Sequence, residues 1–139
     1  VSRAMDRLKI SHLKTRGYTQ ISGGERQLTL IARALAQEAK VLIMDEPTSN
    51  LDYGNQLRVM AEIKSLAEEG YTIIESTHSP DQAFMYADRI LAILDGRVLA
   101  LGPPRETIDG ELIRKLYGVD VEIHSFRNDS IRICVPNLQ

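Results

Sequence analysis

A chain of 139 residues with 17 Lys+Arg against 19 Asp+Glu carries a formal charge of −2, and 43% of it is hydrophobic and 26% charged. That balance excludes a disordered polyelectrolyte or a collagen-like repeat, and at this length one domain with its own core is the default. The near-neutral charge gives no electrostatic reason to expect nucleic acid or an anionic membrane as the main partner.

The charges of the first segment are interleaved with Met5, Leu8, Ile10 and Leu13, which predicts helix from Val1 towards Gly17. After Ser22-Gly23-Gly24, apolar residues recur at Leu28, Ile31, Ala32 and Leu35, the stripe of an amphipathic helix running to about Gln37. Ser22 followed by Glu25 is a capping-box pattern that marks its start. Val41 to Met44 is a continuous aliphatic run ending at Asp45-Glu46-Pro47, the pattern of a strand buried on both faces. A helix from about Gly54 to Glu69, with Leu57, Met60, Ala61 and Leu66 inward, leads to a second buried strand over Tyr71 to Ser76. Strand, helix, strand implies a parallel pair with a right-handed crossover.

Ser79 and Pro80 fit the N-cap and first turn of a helix over Asp81 to Ala87. Asp95-Gly96 between Ile90–Leu94 and Arg97–Leu101 is a two-residue hairpin signal. Beyond Gly102-Pro103-Pro104 a short helix is expected from Arg105 to Tyr117, then alternating strands around Val119–Ile123 and Ile131–Val135 with a turn at Asn128-Asp129. The single cysteine, Cys134, cannot form an intramolecular disulfide and fits a reducing, cytosolic setting. Apolar runs such as Val41 to Met44 fall far short of the roughly 20 residues that cross a bilayer, and the start shows no signal-peptide pattern.

Three places carry chemistry. Asp45 and Glu46 follow a buried strand and so lie at the carboxyl edge of a parallel sheet, where open α/β folds bind ligands; they could hold a metal and polarise a water, or be solvated acids ending a strand. Ser22-Gly23-Gly24 at a helix start offers backbone N–H groups, a hydroxyl and a positive dipole end, which suits a phosphate, although the same residues also cap a helix with no ligand. His78 follows the second strand and falls on the same sheet edge as the two acids.

The joint order is more specific than its parts: Ile21-Ser22-Gly23-Gly24-Glu25-Arg26-Gln27, then Val41 to Pro47, then Ser49-Asn50-Leu51-Asp52, then Ser76-Thr77-His78. In this order the chain closely resembles the ATP-binding subunit of ABC transporters. Ser22-Gly23-Gly24-Glu25 looks like the signature motif, Val41 to Glu46 like the Walker B strand, Ser49 to Asp52 like the D-loop, and His78 like the switch histidine. Ile21 and Glu25 depart mildly from the family's usual Leu and Gln. The resemblance covers nearly the whole chain but only the second half of the family's nucleotide-binding domain. No Gly-x-x-x-x-Gly-Lys-Ser/Thr segment occurs, so this Walker A loop and the Q-loop glutamine are expected upstream of Val1, and the chain alone is expected to be inactive.

The fold so implied is α/β, a P-loop NTPase-like partial domain with a mainly parallel sheet, part of the helical subdomain and a C-terminal hairpin and strand extension. Residues 1–40 would be the helical-subdomain remnant with the signature, 41–101 the core with Walker B, D-loop and switch histidine, and 102–139 the extension. The resemblance implies ATP and Mg2+ as cofactors. Ser22, Gly23, Gly24 and Glu25 would bind nucleotide across a homodimer with a second ATP-binding subunit. Asp45 would hold Mg2+ through water, Glu46 would act as general base, His78 would contact the γ-phosphate, and Ser49 and Asp52 would couple the two sites.

Permease subunits would hold the protein at the inner face of the cell membrane, with no direct nucleic-acid partner. Tyr53-Gly54-Asn55-Gln56 and Leu116-Tyr117-Gly118-Val119 look most like importers of iron chelates, haem or cobalamin. Two other readings stay open, an ABC ATPase of DNA maintenance and a natural half-domain that docks on a complete subunit. Strands left without their neighbours would present an open apolar edge, so pairing with another copy is expected.

Overall fold

The computed structural model describes residues 1–137; Leu138 and Gln139, the end of the extension expected over 102–139, lie outside the described residues. The chain divides into two compact units, Val1–Ser76 and Thr77–Gln139.

The first unit runs α1 (Ser2–Arg7), two single 3-10 turns at Ser11–Leu13 and Tyr18–Gln20, α2 (Gly23–Ala36), β1 (Val41–Met44), α3 (Tyr53–Glu68) and β2 (Thr72–Glu75). The single helix expected across the first 17 residues is broken after Arg7. Leu8 and Ile10 are both only 2% exposed, and two residues two apart point to different sides of a helix, so burying both requires the chain to leave it. Lys9 makes that exit with φ +58°. Helix α1 packs on α2, and α2 on α3. Their buried residues include Leu28, Ile31 and Ala32 from α2 and Val59, Met60, Ile63 and Leu66 from α3.

Within α3 the inward face differs from the one expected. Met60 and Leu66 are buried, but Leu57 is 39% exposed and Ala61 is exposed, while Val59 and Ile63 take the interior positions. Residues 59, 63 and 66 fall on one stripe at i, i+4, i+7, which the more apolar reading through 57 and 61 misses.

Strands β1 and β2 pair in parallel, Val41 with Thr72 through Met44 with Glu75, as a strand–helix–strand order demands. The expectation of burial on both faces is corrected. Leu42 is 4% exposed, whereas Val41, Ile43 and Ile74 are 50%, 77% and 54% exposed. Ile43 faces Ile74 across the ladder, and Val41 lies two residues before Ile43, so the three share one bare side of a two-stranded sheet.

The second unit runs α4 (Pro80–Tyr86), β3 (Ile90–Leu94), β4 (Arg97–Gly102), α5 (Pro104–Thr107), α6 (Gly110–Tyr117), β5 (Val121–Phe126) and β6 (Ile131–Pro136). Asp95 and Gly96 turn β3 into β4 with φ of +50° and +73°, the pair of left-handed residues that a tight hairpin of this twist requires. The one helix expected from Arg105 to Tyr117 is two. Ile108, 7% exposed, turns inward with extended backbone, and Asp109 restarts the chain by capping α6 through Leu112 N at 2.7 Å. Ala83, Ile108 and Ile113 form the centre of this unit, with Phe84, Ile90, Val121 and Cys134 against them.

Three successive left-handed residues, Arg127, Asn128 and Asp129, join β5 to β6. Arg132 holds both Asp129 carboxylate oxygens, at 2.7 and 2.8 Å, and reaches the Arg105 carbonyl at 2.8 Å. Arg105 in turn donates to the Asp129 and Ser130 carbonyls. The turn is thereby tied to the α5 segment.

Candidate nucleotide site

The start of α2 is a closed capping box. Ser22 Oγ accepts from Glu25 N at 3.3 Å, and Glu25 Oε2 accepts from Ser22 N at 2.8 Å. These bonds satisfy two of the helix's exposed donors and leave the N–H groups of Gly23 and Gly24 without an intrahelical acceptor. The Ser22 N–H, then the Ser22 hydroxyl, holds the Glu25 carboxyl below its ordinary range, and His12 Nε2 stands 3.5 Å from Oε1. Arg26 lies over the Tyr18 ring at 5.3 Å and donates to the Tyr18 carbonyl, fixing the chain just ahead of the helix.

Both glycines are required by what sits beside them. A Cβ on Gly23 would lie 2.9 Å from Leu51 Cδ2, and one on Gly24 would lie 2.5 Å from Asn55 Oδ1 and 2.8 Å from its Cγ. The α2 start and the Ser49–Asp52 segment are thus in direct contact within the first unit. Asp52 caps α3, taking Asn55 N on Oδ1 at 3.0 Å and Asn55 Nδ2 on Oδ2 at 2.5 Å. Those bonds, the backbone one first, keep its carboxyl below the usual aspartate range.

Asp45 and Glu46 occupy the turn that leaves β1. Asp45 is exposed and Glu46 half-buried. Glu46 has φ +44°, a left-handed conformation that costs a non-glycine residue roughly 1–3 kcal/mol and persists only where the surroundings impose it. The bonds that impose it are visible. Ser49 N and Ser49 Oγ both donate to the Glu46 carbonyl at 3.0 Å, and the Glu46 N–H donates to Ser76 Oγ at 3.0 Å. Ser76 Oγ itself donates to Asp45 Oδ1 at 2.5 Å. Leu51 N bonds the Thr48 carbonyl at 3.3 Å, and Gln56 Nε2 the Leu51 carbonyl at 2.9 Å. Ser76 and Ser49 thus bind Asp45 and Glu46 into one set of contacts, Leu51, Asp52 and Asn55 meet the α2 glycines in another, and the chain from Ser49 to Asp52 connects the two.

His78 belongs to the second unit, exposed and directly before the Ser79 cap of α4. Ser79 accepts from Gln82 N at 3.3 Å, and Thr77 Oγ1 bonds Gln82 Oε1 at 3.0 Å. Ser76 and Asn55 stand in the quoted stretches Ser76-Thr77-His78 and Tyr53-Gly54-Asn55-Gln56 without an assigned role, because Ser76 meets Asp45 and Glu46 from 31 and 30 positions away and Asn55 meets Gly24 across a helix pair. Glu75, at the end of β2, has its Oε2 buried with no hydrogen-bond partner among the described residues, and burial raises its carboxyl above the ordinary range. Among the described residues no group of three or more His, Cys, Asp or Glu could hold a metal by itself, so a cation at Asp45 would need ligands from a bound nucleotide and water.

The family profile described as ABC transporter matches residues 1–49. An ABC transporter ATP-binding protein of Haemophilus influenzae is 45% identical over 129 residues, covering 92% of this chain and 49% of that protein. The ferric enterobactin transport ATP-binding protein FepC of Escherichia coli is 38% identical over 120 residues, with 86% and 44% covered. The cobalamin import ATP-binding protein BtuD of Halobacterium salinarum is 40% identical over 124 residues, with 88% and 31% covered. A solved inward-facing metal-chelate type ABC transporter superposes with a TM-score of 0.90 at 32% identity, over 99% of this chain and 56% of that one. Among the described residues no helix is long and apolar enough to cross a membrane. The chain spans about half the length, or less, of these relatives, and over that span its sequence and fold are similar to those of ABC transporter ATP-binding proteins.

Proposed function

We propose that the chain forms part of an ATP-hydrolysing subunit that drives import of an iron chelate, haem or cobalamin. The observation that carries this reading is the network that ties the Asp45-Glu46 turn to the Gly23-Gly24 helix start through Ser49, Leu51 and Asn55. The names of the FepC and BtuD relatives support the cargo class.

In this reading Ser22, Gly23 and Gly24 face the γ-phosphate of a nucleotide held by a second ATP-binding subunit. The Gly23 and Gly24 amides are the donors, since neither has an intrahelical acceptor, and the Ser22 hydroxyl can turn its proton from Glu25 to the phosphate. Asp45, its Oδ1 engaged by Ser76, would hold Mg2+ through water. Glu46, its backbone held on both sides, takes the proton of the attacking water. ATP with Mg2+, when bound, supplies the scissile phosphoryl bond and the cation that neutralises its charge. His78 contacts the γ-phosphate, and Ser49 and Asp52 couple the two sites of the dimer. Permease subunits would anchor the assembly on the inner face of the cell membrane, and closure on ATP would move them.

The test is transport. This chain, substituted for the matching segment of the E. coli ferric enterobactin relative, is expected to restore iron uptake to cells lacking that relative, and Asp45→Asn is expected to abolish it. A chimera that is expressed and membrane-bound yet transports equally with Asp45→Asn contradicts the reading.

A further inference from the structure

Ser76 is the last residue of the first unit and stands directly after β2, 31 positions from Asp45 and 30 from Glu46. Its backbone extends the parallel ladder, with Ser76 N on the Met44 carbonyl at 3.0 Å. That bond places its side chain at the mouth of the turn that leaves β1. Its one hydroxyl then does two things at once, accepting the Glu46 N–H at 3.0 Å and donating its proton to Asp45 Oδ1 at 2.5 Å. A hydroxyl has one proton and two lone pairs, so both bonds can exist together, and no alanine or valine can make either.

We propose that Ser76 is a positioning residue for the acid pair, fixing the Asp45 carboxylate by its proton and the left-handed backbone of Glu46 by its oxygen. The proposal rests on the reading of Asp45 and Glu46 as cation holder and base, and extends it to a residue on the neighbouring strand. Ser49 closes Glu46 from the carbonyl side, so the peptide groups on both sides of Glu46 are held and its side chain leaves a fixed backbone. The α-carbon of the base is thereby set by β2, the strand that leads to His78. A movement of the β2 end would therefore be felt at both acids, without passing through nucleotide.

The experiment uses the nitrogen- and carbon-labelled 139-residue chain in the absence of nucleotide, as Ser76, Ser76→Thr, Ser76→Val and Ser76→Ala. Threonine and valine have the same shape, so their difference reports the hydroxyl alone. The expected result is that Val and Ala speed hydrogen exchange of the Glu46 amide by about tenfold or more and shift the Glu46 Cα and Cβ resonances out of the left-handed range. Thr keeps both near the serine values, and exchange at Leu42 and Ile74 changes by less than about twofold in all variants. Equal Glu46 behaviour in the Thr and Val variants overturns the proposal, and so does a loss of protection spread evenly over β1 and β2. Neither readout involves ATP, so failure here and failure of the transport reading are separately visible.

Discussion

Gly24 and Asn55 are in contact at the point where α2 and α3 begin, so closely that a methyl group on Gly24 would stand 2.5 Å from Asn55 Oδ1. Asn55 cannot simply swing aside, because its Nδ2 is bonded to the Asp52 carboxylate and its N–H to the same group. Gly24→Ala is therefore expected to destabilise the chain by about 1–3 kcal/mol, as overpacking does. Asn55→Ala removes the blocking atoms, and the double variant is expected to recover part of the loss, a coupling of about 0.5–3 kcal/mol in urea unfolding. Strict additivity of the two changes would show that the contact does not carry the cost.

The β5–β6 turn should be acid-sensitive in a defined window. Arg132, by its bonds first and its charge after, with Arg105 beyond it, holds Asp129 at about 2 against an ordinary 3.8. The folded value is the lower one, so this contribution is complete above about pH 4 and is lost as pH falls through about 2. Following the Asp129 carboxyl carbon by NMR should give that low midpoint, and Asp129→Asn should remove the sensitivity of the hairpin in that range. A midpoint near 4 would mean the arginine fork is not formed in solution.

Cys134 should be nearly inert. Burial, with Asp81 adding to it, pushes its thiol up to about 11, while its N–H bonds Asp81 Oδ1 at 2.8 Å. At pH 8 the thiolate fraction is then about 100-fold or more below that of an ordinary exposed cysteine. Reaction with a disulfide reagent is expected to be slower by at least about 30-fold in the folded chain than in urea. Equal rates would place the thiol in water.

The bare side of the β1–β2 sheet is expected to drive self-association of the chain. Val41, Ile43 and Ile74 lie together there, and a two-stranded parallel sheet has unpaired backbone at both edges. Light scattering across a concentration series should show mass rising with concentration, and Ile43→Lys should suppress the rise. A monomer at high concentration, with Ile43 intact, would count against it.

Legibility in the sequence followed the range of the interactions. The α2 cap, the Asp95-Gly96 turn and the Ser79 cap are set by neighbours within a few residues, and the structure has them where local chemistry puts them. The parallel pairing of β1 with β2 also followed from element order alone. Burial did not. A run such as Val41 to Met44 states that a strand can be covered on both faces, but whether anything covers it depends on what else packs there, and Ile43 is left 77% exposed. Leu57 and Ala61 misled in the same way, since apolar character marks a candidate for burial and the stripe through Val59, Ile63 and Leu66 won. At the candidate site, Asp45, Glu46, Ser22 and Asp52 were readable as motif residues. Ser76 and Asn55 stood only within quoted stretches, without a role, because a hydroxyl that meets Asp45 and Glu46 from 31 and 30 positions away, or an amide packed on a glycine of another helix, leaves no spacing to read.

The role of Glu46 as base is read in ATP turnover by a purified chimera in which this chain replaces the matching segment of the E. coli ferric enterobactin relative, with and without Glu46→Gln. Mg-ATP hydrolysis is expected of the unsubstituted chimera, with a loss of about 100-fold or more in kcat on Glu46→Gln, nucleotide binding being retained. Turnover that survives Glu46→Gln undiminished would contradict that role.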